Sequence, residues 1–155
     1  MAVEITEWTD RAGRRFPRLQ ARGKSLTEAF RHAAHGFFGM ITDVATIRPL
    51  EEVVIFCESS DSDWLFSDWL NTLVYEVRER GMLFSEFHVE VDGINVKGKI
   101  RGERIDPKRH PLKREAISGA AFDELFAIEH GEDAHVSAVL NDEARHPLPL
   151  RELWR

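Results

Sequence analysis

The sequence predicts an α+β fold, a two-layer sandwich of a mostly antiparallel sheet with two helices. Two segments repeat apolar residues at helical spacing, and several others alternate apolar and polar residues with the period of a strand. The helices do not alternate regularly with the strands, which argues against a parallel βαβ sheet. We expect one domain over residues 1–143, followed by a C-terminal tail over 144–155.

The first helix is predicted to begin after Ser25. A strand over residues 2–9 and a short strand over 19–21 precede it, and Pro17 argues against a central strand in the loop between them. Ser25 and Glu28 form a capping box, in which each side chain satisfies a backbone N–H at the start of the helix. Apolar residues follow at helical spacing and predict a buried face: Leu26, Phe30, Ala33, Ala34, Phe37 and Ile41.

A strand and a second helix come next. The strand over Glu51–Glu58 has a nearly continuous apolar centre, which predicts cover on both of its faces. The helix is predicted from about Asp63 to Arg80, and Gly81 is placed to end it. Its wide apolar stripe predicts burial in the core: Leu65, Phe66, Trp69, Leu70, Leu73, Val74 and Val77.

An Asp-Gly pair predicts a β-hairpin in the centre of the chain. Asp92 and Gly93 separate two alternating segments, and such a pair is typical of a type I′ turn. We expect three further strands, over about 113–119, 124–129 and 135–140. The hairpin register that follows from this turn pairs Val91 with Ile94, Val89 with Val96, Phe87 with Gly98 and Glu86 with Lys99.

The composition is that of a globular acidic protein. Hydrophobic residues make up 43% and charged residues 31%, and the formal net charge is −6, which disfavours a general nucleic-acid-coating role. Eight basic residues nevertheless lie between Lys97 and Arg114, in a patch that fits an acidic partner, a phosphate backbone or a solvated strand face. Cys57 is the only cysteine, so we expect no internal disulfide and a cytoplasmic location. No apolar run approaches membrane-spanning length.

The sequence lacks the common catalytic motifs, including G-x-S-x-G, the Walker A loop and H-E-x-x-H. Carboxylates do lie at the ends of predicted strands, in Glu7–Asp10 and in Val139–Glu143. Oxygen ligands of this kind suit a hard cation such as Ca²⁺ or Mg²⁺. They converge only if the two strands are neighbours; otherwise these acids are solvated strand ends.

Several segments resemble, in order, the signature of the archease family. Ser67–Glu76 followed by Gly81–Phe87 is similar to that family's D-W-L-N-E-L-L-Y helix and the G-L-L-F-S-E-F that follows it. Three more segments also fall in family order: Gly23–Phe30, Met40–Asp43 and Gly102–Lys113. The resemblance covers about residues 4–143 and implies the archease fold.

The resemblance implies an accessory protein, which is not itself an enzyme. Members of that family activate the GTP- and metal-dependent RNA-splicing ligase of tRNA splicing and repair, by promoting its guanylylation and repeated turnover. The resemblance therefore implies that this chain has an RNA-splicing ligase as its partner. Contact with tRNA would come through that ligase, and no membrane is involved.

The resemblance also implies a divalent-cation site, and there the chain departs from the family pattern. The family takes one aspartate from an H-T-A-D motif near the N-terminus and another from a near-terminal L-D-I. In this chain Trp8 stands where the histidine is usual. Asp10 matches the first aspartate only with a one-residue gap, and without the gap that position is Arg11. Asn141 or Asp142 takes the second position.

Two interpretations of this site remain open. In the first, the strand ends shift by one residue and Asp10, Asp142 and Glu143 hold Ca²⁺, Mg²⁺ or Mn²⁺. Lys113, which matches the family pattern, and Asp43 then form the adjoining partner surface. In the second, the site is lost and the chain is a metal-free, chaperone-like or protein-binding module on the same scaffold.

Overall fold

The computed structural model describes residues 2–141 and 148–155. Within those ranges the chain forms nine strands, two long helices, a short C-terminal helix and one 3-10 turn over Val44–Thr46. The bounds are β1 Val3–Thr9, β2 Arg15–Gly23, α1 Leu26–Ile41, β3 Glu51–Glu58, α2 Ser62–Arg80, β4 Met82–Asp92, β5 Asn95–Arg104, β6 Ala116–Ile117, β7 Phe126–His130, β8 Asp133–Val139, β9 Leu148–Pro149 and α3 Leu150–Leu153.

The described strands pair antiparallel and form three sheets. The largest has the order β1-β2-β8-β7, the second has the order β3-β5-β4, and β6 pairs with β9. Helix α1 packs against β2 and β8 of the first sheet and against β4 of the second, while α2 contacts β7 and the second sheet. The α+β prediction is confirmed. The separation of the strands into sheets joined by shared helices was not predicted from the sequence.

Both long helices begin near their predicted positions, and α2 also ends where predicted, because these signals are local. The Ser25 hydroxyl accepts a hydrogen bond from the Glu28 backbone N–H at 3.2 Å, at the start of α1. Asp61 caps α2 in the same way, and Gly81 ends it in the left-handed conformation at φ 62°. The helices meet in the core, where the Trp69 indole N–H donates to the Phe30 carbonyl at 3.1 Å. None of the described helices is both long and apolar enough to cross a membrane.

The prediction that Pro17 prevents a central strand is wrong. Strand β2 runs from Arg15 to Gly23, contains Pro17 and lies between β1 and β8. On the β8 side, the Pro17 carbonyl accepts from the Leu140 N–H at 2.9 Å. In an antiparallel ladder the N–H and C=O of one residue point to the same neighbour, so the missing N–H removes one bond at the end of the β2–β8 ladder. The proline is tolerated because the pairing ends there.

The prediction that β3 is covered on both faces is also wrong. Val53 and Ile55 are buried, but Val54 and Phe56 are 58% and 64% exposed. Strand β3 lies at the edge of its sheet, and only one of its faces packs on the helices. A run of apolar residues therefore marks an apolar outer surface here, and not a fully buried strand.

The predicted hairpin exists, but its register is wrong by two residues. Gly93 and Ile94 form the turn, instead of Asp92 and Gly93. Of the two turn residues only Gly93 has a positive φ, at 60°, as in a type II′ turn. Because a shift of two residues preserves the side-chain alternation, the residues that still pair keep their predicted faces. Ile94, predicted to pair with Val91, lies in the turn instead and is 43% exposed. Opposite charges still meet across the strands, with Glu86 opposite Arg101.

In the C-terminal third of the chain, one predicted strand is shorter than expected, and the described part of the tail packs against the rest of the protein. The strand predicted over 113–119 is reduced to β6, while β7 and β8 lie near their predicted positions. Strand β9 pairs with β6, and Leu150 at the start of α3 is fully buried. The described part of the tail thus packs on the body of the protein. The boundary proposed between residues 143 and 144 lies outside the described residues.

Candidate functional site

The turn between β1 and β2 is organised around Asp10. Its Oδ1 accepts hydrogen bonds from the backbone N–H groups of Ala12 and Arg14, both at 2.9 Å, and its Oδ2 accepts from Arg14 Nε at 2.9 Å. Gly13 takes a φ of 82°, which lets the turn close around the carboxylate. Partial burial by itself raises the pKa of Asp10, but the hydrogen bonds and the charge of Arg14 outweigh it and hold the pKa below its usual value.

The C-terminal end of β8 lies at the same end of the four-stranded sheet as Asp10, which follows β1. Leu140 pairs with Pro17, and the Asn141 backbone N–H donates to the Gly119 carbonyl at 3.2 Å. Strand β2 lies between β1 and β8, so the condition that these two strands are neighbours is not met. Two strand spacings, about 10 Å, separate their backbones. A side chain on each strand must therefore reach across β2 to share a ligand.

The described residues do not by themselves fit a divalent cation. Asp142 and Glu143, two of the three predicted ligands, lie outside the described part of the chain. Within that part, no three His, Cys, Asp or Glu side chains lie together in an arrangement that could hold a metal ion. The third predicted ligand, Asp10, already faces the guanidinium of Arg14 at 2.9 Å. That positive charge takes the position from which a cation would neutralise the carboxylate.

A buried ionic network supports the loop that leads to Lys113. The side chain of Glu103 is only 6% exposed and accepts from the Arg48 backbone N–H at 2.7 Å, from the Arg48 guanidinium at 3.1 Å and from the Arg109 guanidinium. His110, which is fully buried, also donates from Nε2 to Glu103 at 3.1 Å. Burial raises the pKa of Glu103, but the hydrogen bonds from Arg109, Arg48 and His110 hold it well below its usual value.

His110 also forms a hydrogen bond within its own loop. His110 Nδ1 accepts from the Asp106 backbone N–H at 2.9 Å, which leaves Nε2 as the ring donor to Glu103. Arg109 also donates to the Thr46 carbonyl at 3.2 Å, joining this loop to the 3-10 turn. Glu103 and His110 were not among the functional residues predicted from the sequence. Both lie in the Gly102–Lys113 segment, which was identified through its resemblance to the family signature.

Lys113 and Asp43, the predicted partner-surface residues, both lie at the C-terminal end of α1. The Lys113 backbone N–H donates to the Ile41 carbonyl at 2.9 Å, and its Nζ donates to the Gly39 carbonyl at 3.3 Å. Cations are favourable at this end of a helix. Asp43 caps the 3-10 turn by accepting from the Ala45 N–H at 3.1 Å. Both side chains are exposed near this end of the helix.

Comparison with known proteins identifies the family. The model of the Archease protein family (MTH1598/TM1083) matches residues 17–142. The chain belongs to the archease family. The matched range contains Asp43, Glu103, His110 and Lys113, and Asp10 precedes it.

Archease relatives match over most of their length. The protein archease of Saccharolobus islandicus is 32% identical over 126 residues, which cover 80% of this chain and 89% of the relative. That of Sulfurisphaera tokodaii is 30% identical over 109 residues, covering 69% of this chain and 78% of the relative.

Solved structures have the same fold. The solution structure of protein 1598 from Methanobacterium thermoautotrophicum superposes with a TM-score of 0.75 at 25% identity, covering 90% of this chain and 98% of that one. An archease from Thermotoga maritima, described as a possible chaperone, superposes with a TM-score of 0.54 at 16% identity, covering 80% of this chain and 88% of that one. The second likeness bears on the fold alone.

Proposed function

We propose that this archease is an accessory protein that activates an RNA-splicing ligase by promoting its guanylylation and turnover, and that it is not an enzyme. The observation that supports the proposal is the family match over residues 17–142, which spans the core and the loop that carries Lys113. Contact with tRNA comes through the ligase. A cytoplasmic location agrees with the single cysteine of the chain.

The geometry around Lys113 suits a role in positioning. The buried network at Glu103 holds the preceding loop, and the end of α1 holds Lys113 itself through two hydrogen bonds. A charge fixed in this way meets a partner without losing much conformational entropy. We infer that Lys113 and Asp43 contact the ligase and favour its guanylylated state through charge, with no covalent step on this chain.

The direct test adds the purified protein to its cognate ligase with GTP and Mn²⁺, and follows ligase guanylylation and multiple-turnover RNA joining. The parent protein raises both. Lys113→Ala lowers the stimulation by about tenfold, the effect of losing a contact of about 1.4 kcal/mol. Lys99→Ala, which removes an exposed lysine from the outer face of β5, leaves it unchanged. No stimulation by the parent protein refutes the proposal.

The cation is a separate part of the proposal. If Asp10, Asp142 and Glu143 hold an ion, calorimetric titration with Ca²⁺, Mg²⁺ or Mn²⁺ gives a binding signal. Asp10→Ala and Asp142→Ala then each remove it. A parent protein that takes up no ion while it still stimulates the ligase refutes the cation and leaves the activation proposal standing.

The second candidate is a metal-free, chaperone-like or protein-binding module. The ion pair between Asp10 and Arg14 favours it, since the charge of the carboxylate is already balanced within the chain. The Thermotoga maritima archease, which shares the fold, is itself described as a possible chaperone. Suppression of heat-induced aggregation of the ligase, in the presence of EDTA and without any rise in guanylylation, identifies this function.

A further inference from the structure

A shallow apolar groove lies between β1 and the C-terminal part of α1. Its walls and floor include Val3 and Ile5 from β1 and Gly39 and Met40 from α1, and its volume is about 700 Å³. Strand β1 is an edge strand of the four-stranded sheet, and Ile5 is 39% exposed there. We call these residues, with the Lys113–Arg114 rim beside them, the β1–α1 groove.

A glycine keeps the floor of this groove open. Helix α1 contains two glycines, and each costs about 1 kcal/mol relative to alanine inside a helix. Packing explains Gly36, because a Cβ there would lie 2.4 Å from Val3 Cγ1. Packing does not explain Gly39, since the nearest atom to its added Cβ would be Val44 Cγ2 at 3.9 Å. The missing side chain at Gly39 therefore leaves space on the surface without serving the core.

Two cations form the rim of the groove. Lys113 and Arg114 line it, and neither makes an ion pair with a residue in the described part of the chain. Two nearby acids already pair with arginines: Glu7 lies 3.4 Å from Arg15, and Glu115 forms an ion pair with Arg151. A third acid, Asp43, caps the 3-10 turn by accepting from the Ala45 N–H. The Arg151 pair also lowers the pKa of Glu115, through hydrogen bonding that outweighs partial burial. Lys113 and Arg114 can therefore each pair with a carboxylate from outside.

The C-terminal tail holds this rim from both sides. The Trp154 indole N–H donates to the His110 carbonyl at 2.7 Å, before Lys113, and the Leu150 backbone N–H donates to the Glu115 carbonyl at 2.9 Å, after Arg114. Pairing of β9 with β6 extends the second attachment. Two anchored ends around two cations reduce the entropy lost when a partner binds them.

We propose that the β1–α1 groove is a docking site for the partner protein, and that it accepts a segment with an apolar anchor residue beside one or more carboxylates. The inference rests on the proposed function, which makes the RNA-splicing ligase that partner. The apolar floor buries the anchor, and Lys113 and Arg114 pair with the acids. A polyanion such as tRNA matches the rim but supplies no apolar anchor for the floor.

The test fills the groove without disturbing the core. Gly39→Leu places an apolar side chain on its floor, and Gly39→Ala is the matched control, which gains helix propensity but leaves most of the space. Binding of the immobilised ligase is measured by biolayer interferometry, and ligase guanylylation is measured in parallel. We expect Gly39→Leu to raise Kd by about tenfold or more, the scale of an interface anchor that is lost, and Gly39→Ala to change it less than about twofold.

A second pair of variants tests the charge of the rim without changing the core. Arg114→Glu reverses one rim charge and is expected to raise Kd by about tenfold or more. Lys99→Glu makes the same reversal on the outer face of β5 and leaves Kd unchanged. Thermal unfolding of all four variants checks that each one folds.

Each result has one meaning. If the parent protein stimulates the ligase and folded Gly39→Leu and Arg114→Glu do so equally well, the docking site is refuted and the proposed function stands. If the parent protein neither binds nor stimulates the ligase, the proposed function falls and this assignment falls with it. If Arg114→Glu alone weakens binding, and the parent protein binds isolated tRNA with a steep salt dependence, the rim is a phosphate site and the apolar docking site is refuted.

Discussion

Neutralising Glu103 is expected to cost this archease about 2–4 kcal/mol of unfolding free energy. Glu103 is 6% exposed and accepts hydrogen bonds from Arg48, Arg109 and His110. Breaking a buried ion pair costs about 3–5 kcal/mol when the remaining charge stays buried. Here Arg48 and Arg109 are 60% and 34% exposed, so water partly solvates them after the change. The cost therefore lies near the lower end of that range.

The variant is Glu103→Gln, which keeps the shape and one acceptor but loses the charge. At neutral pH a loss of about 3 kcal/mol lowers Tm by roughly 6–12 °C for a chain of this size. Glu52→Gln is the control, because it removes a partner of Arg101 in an exposed pair, with side chains 39% and 48% exposed, and such pairs contribute about 0–1 kcal/mol. Urea unfolding followed by circular dichroism measures both.

The contribution of Glu103 to the free energy of unfolding is expected to decrease in acid. The pKa of Glu103 in the folded protein lies below that of an unfolded glutamate, so its contribution is fully present above the unfolded pKa, about 4.3. It is lost as the pH falls from there towards the folded pKa. The stability difference between parent and Glu103→Gln should therefore shrink as the pH falls below about 4. Equal stability of the two proteins at pH 7, or a difference that does not change in acid, refutes this reasoning.

Two further substitutions test the packing around the candidate site. Gly102→Ala should lower the free energy of unfolding by about 3 kcal/mol or more, because its Cβ would lie 1.8 Å from the Leu83 carbonyl oxygen. An unchanged midpoint of urea unfolding contradicts this. Gly39→Ala is the control, because the space around its added Cβ is open. Trp154→Phe should cost about 1 kcal/mol by losing the bond to the His110 carbonyl. Hydrogen exchange should also quicken in residues 110–117, and unaltered exchange there argues against the tail as a support.

Local patterns predicted the elements that local interactions determine. The Ser25 cap, the Gly81 end and the apolar stripes of α1 and α2 depend on residues within a few positions of one another, so they could be read directly. The hairpin was found from its turn residues, but its register was not. Both Asp92-Gly93 and Gly93-Ile94 can form a two-residue turn, and the choice depends on how β5 also pairs with β3.

The candidate site was predicted less well, because it is made by the order of strands in the sheets. Lys113 and Asp43 were named through the family resemblance, and the structure places both at the end of α1. Asp10 was named as an ion ligand, yet its partner in the structure is Arg14, four residues away. The roles of Asp142 and Glu143 stay predictions, since they lie outside the described residues.

By itself the sequence determined the helices, the alternation of the strands and the family, since each depends on residue types at short spacing. Only the tertiary structure decided that β2 separates β1 from β8, that Glu103 is buried among three donors and that a groove opens beside Gly39. The physical reason is that sheet order and burial arise from contacts between distant parts of the chain. The free energy of these contacts depends on how whole helices and strands pack, and it cannot be predicted from any short segment of the sequence.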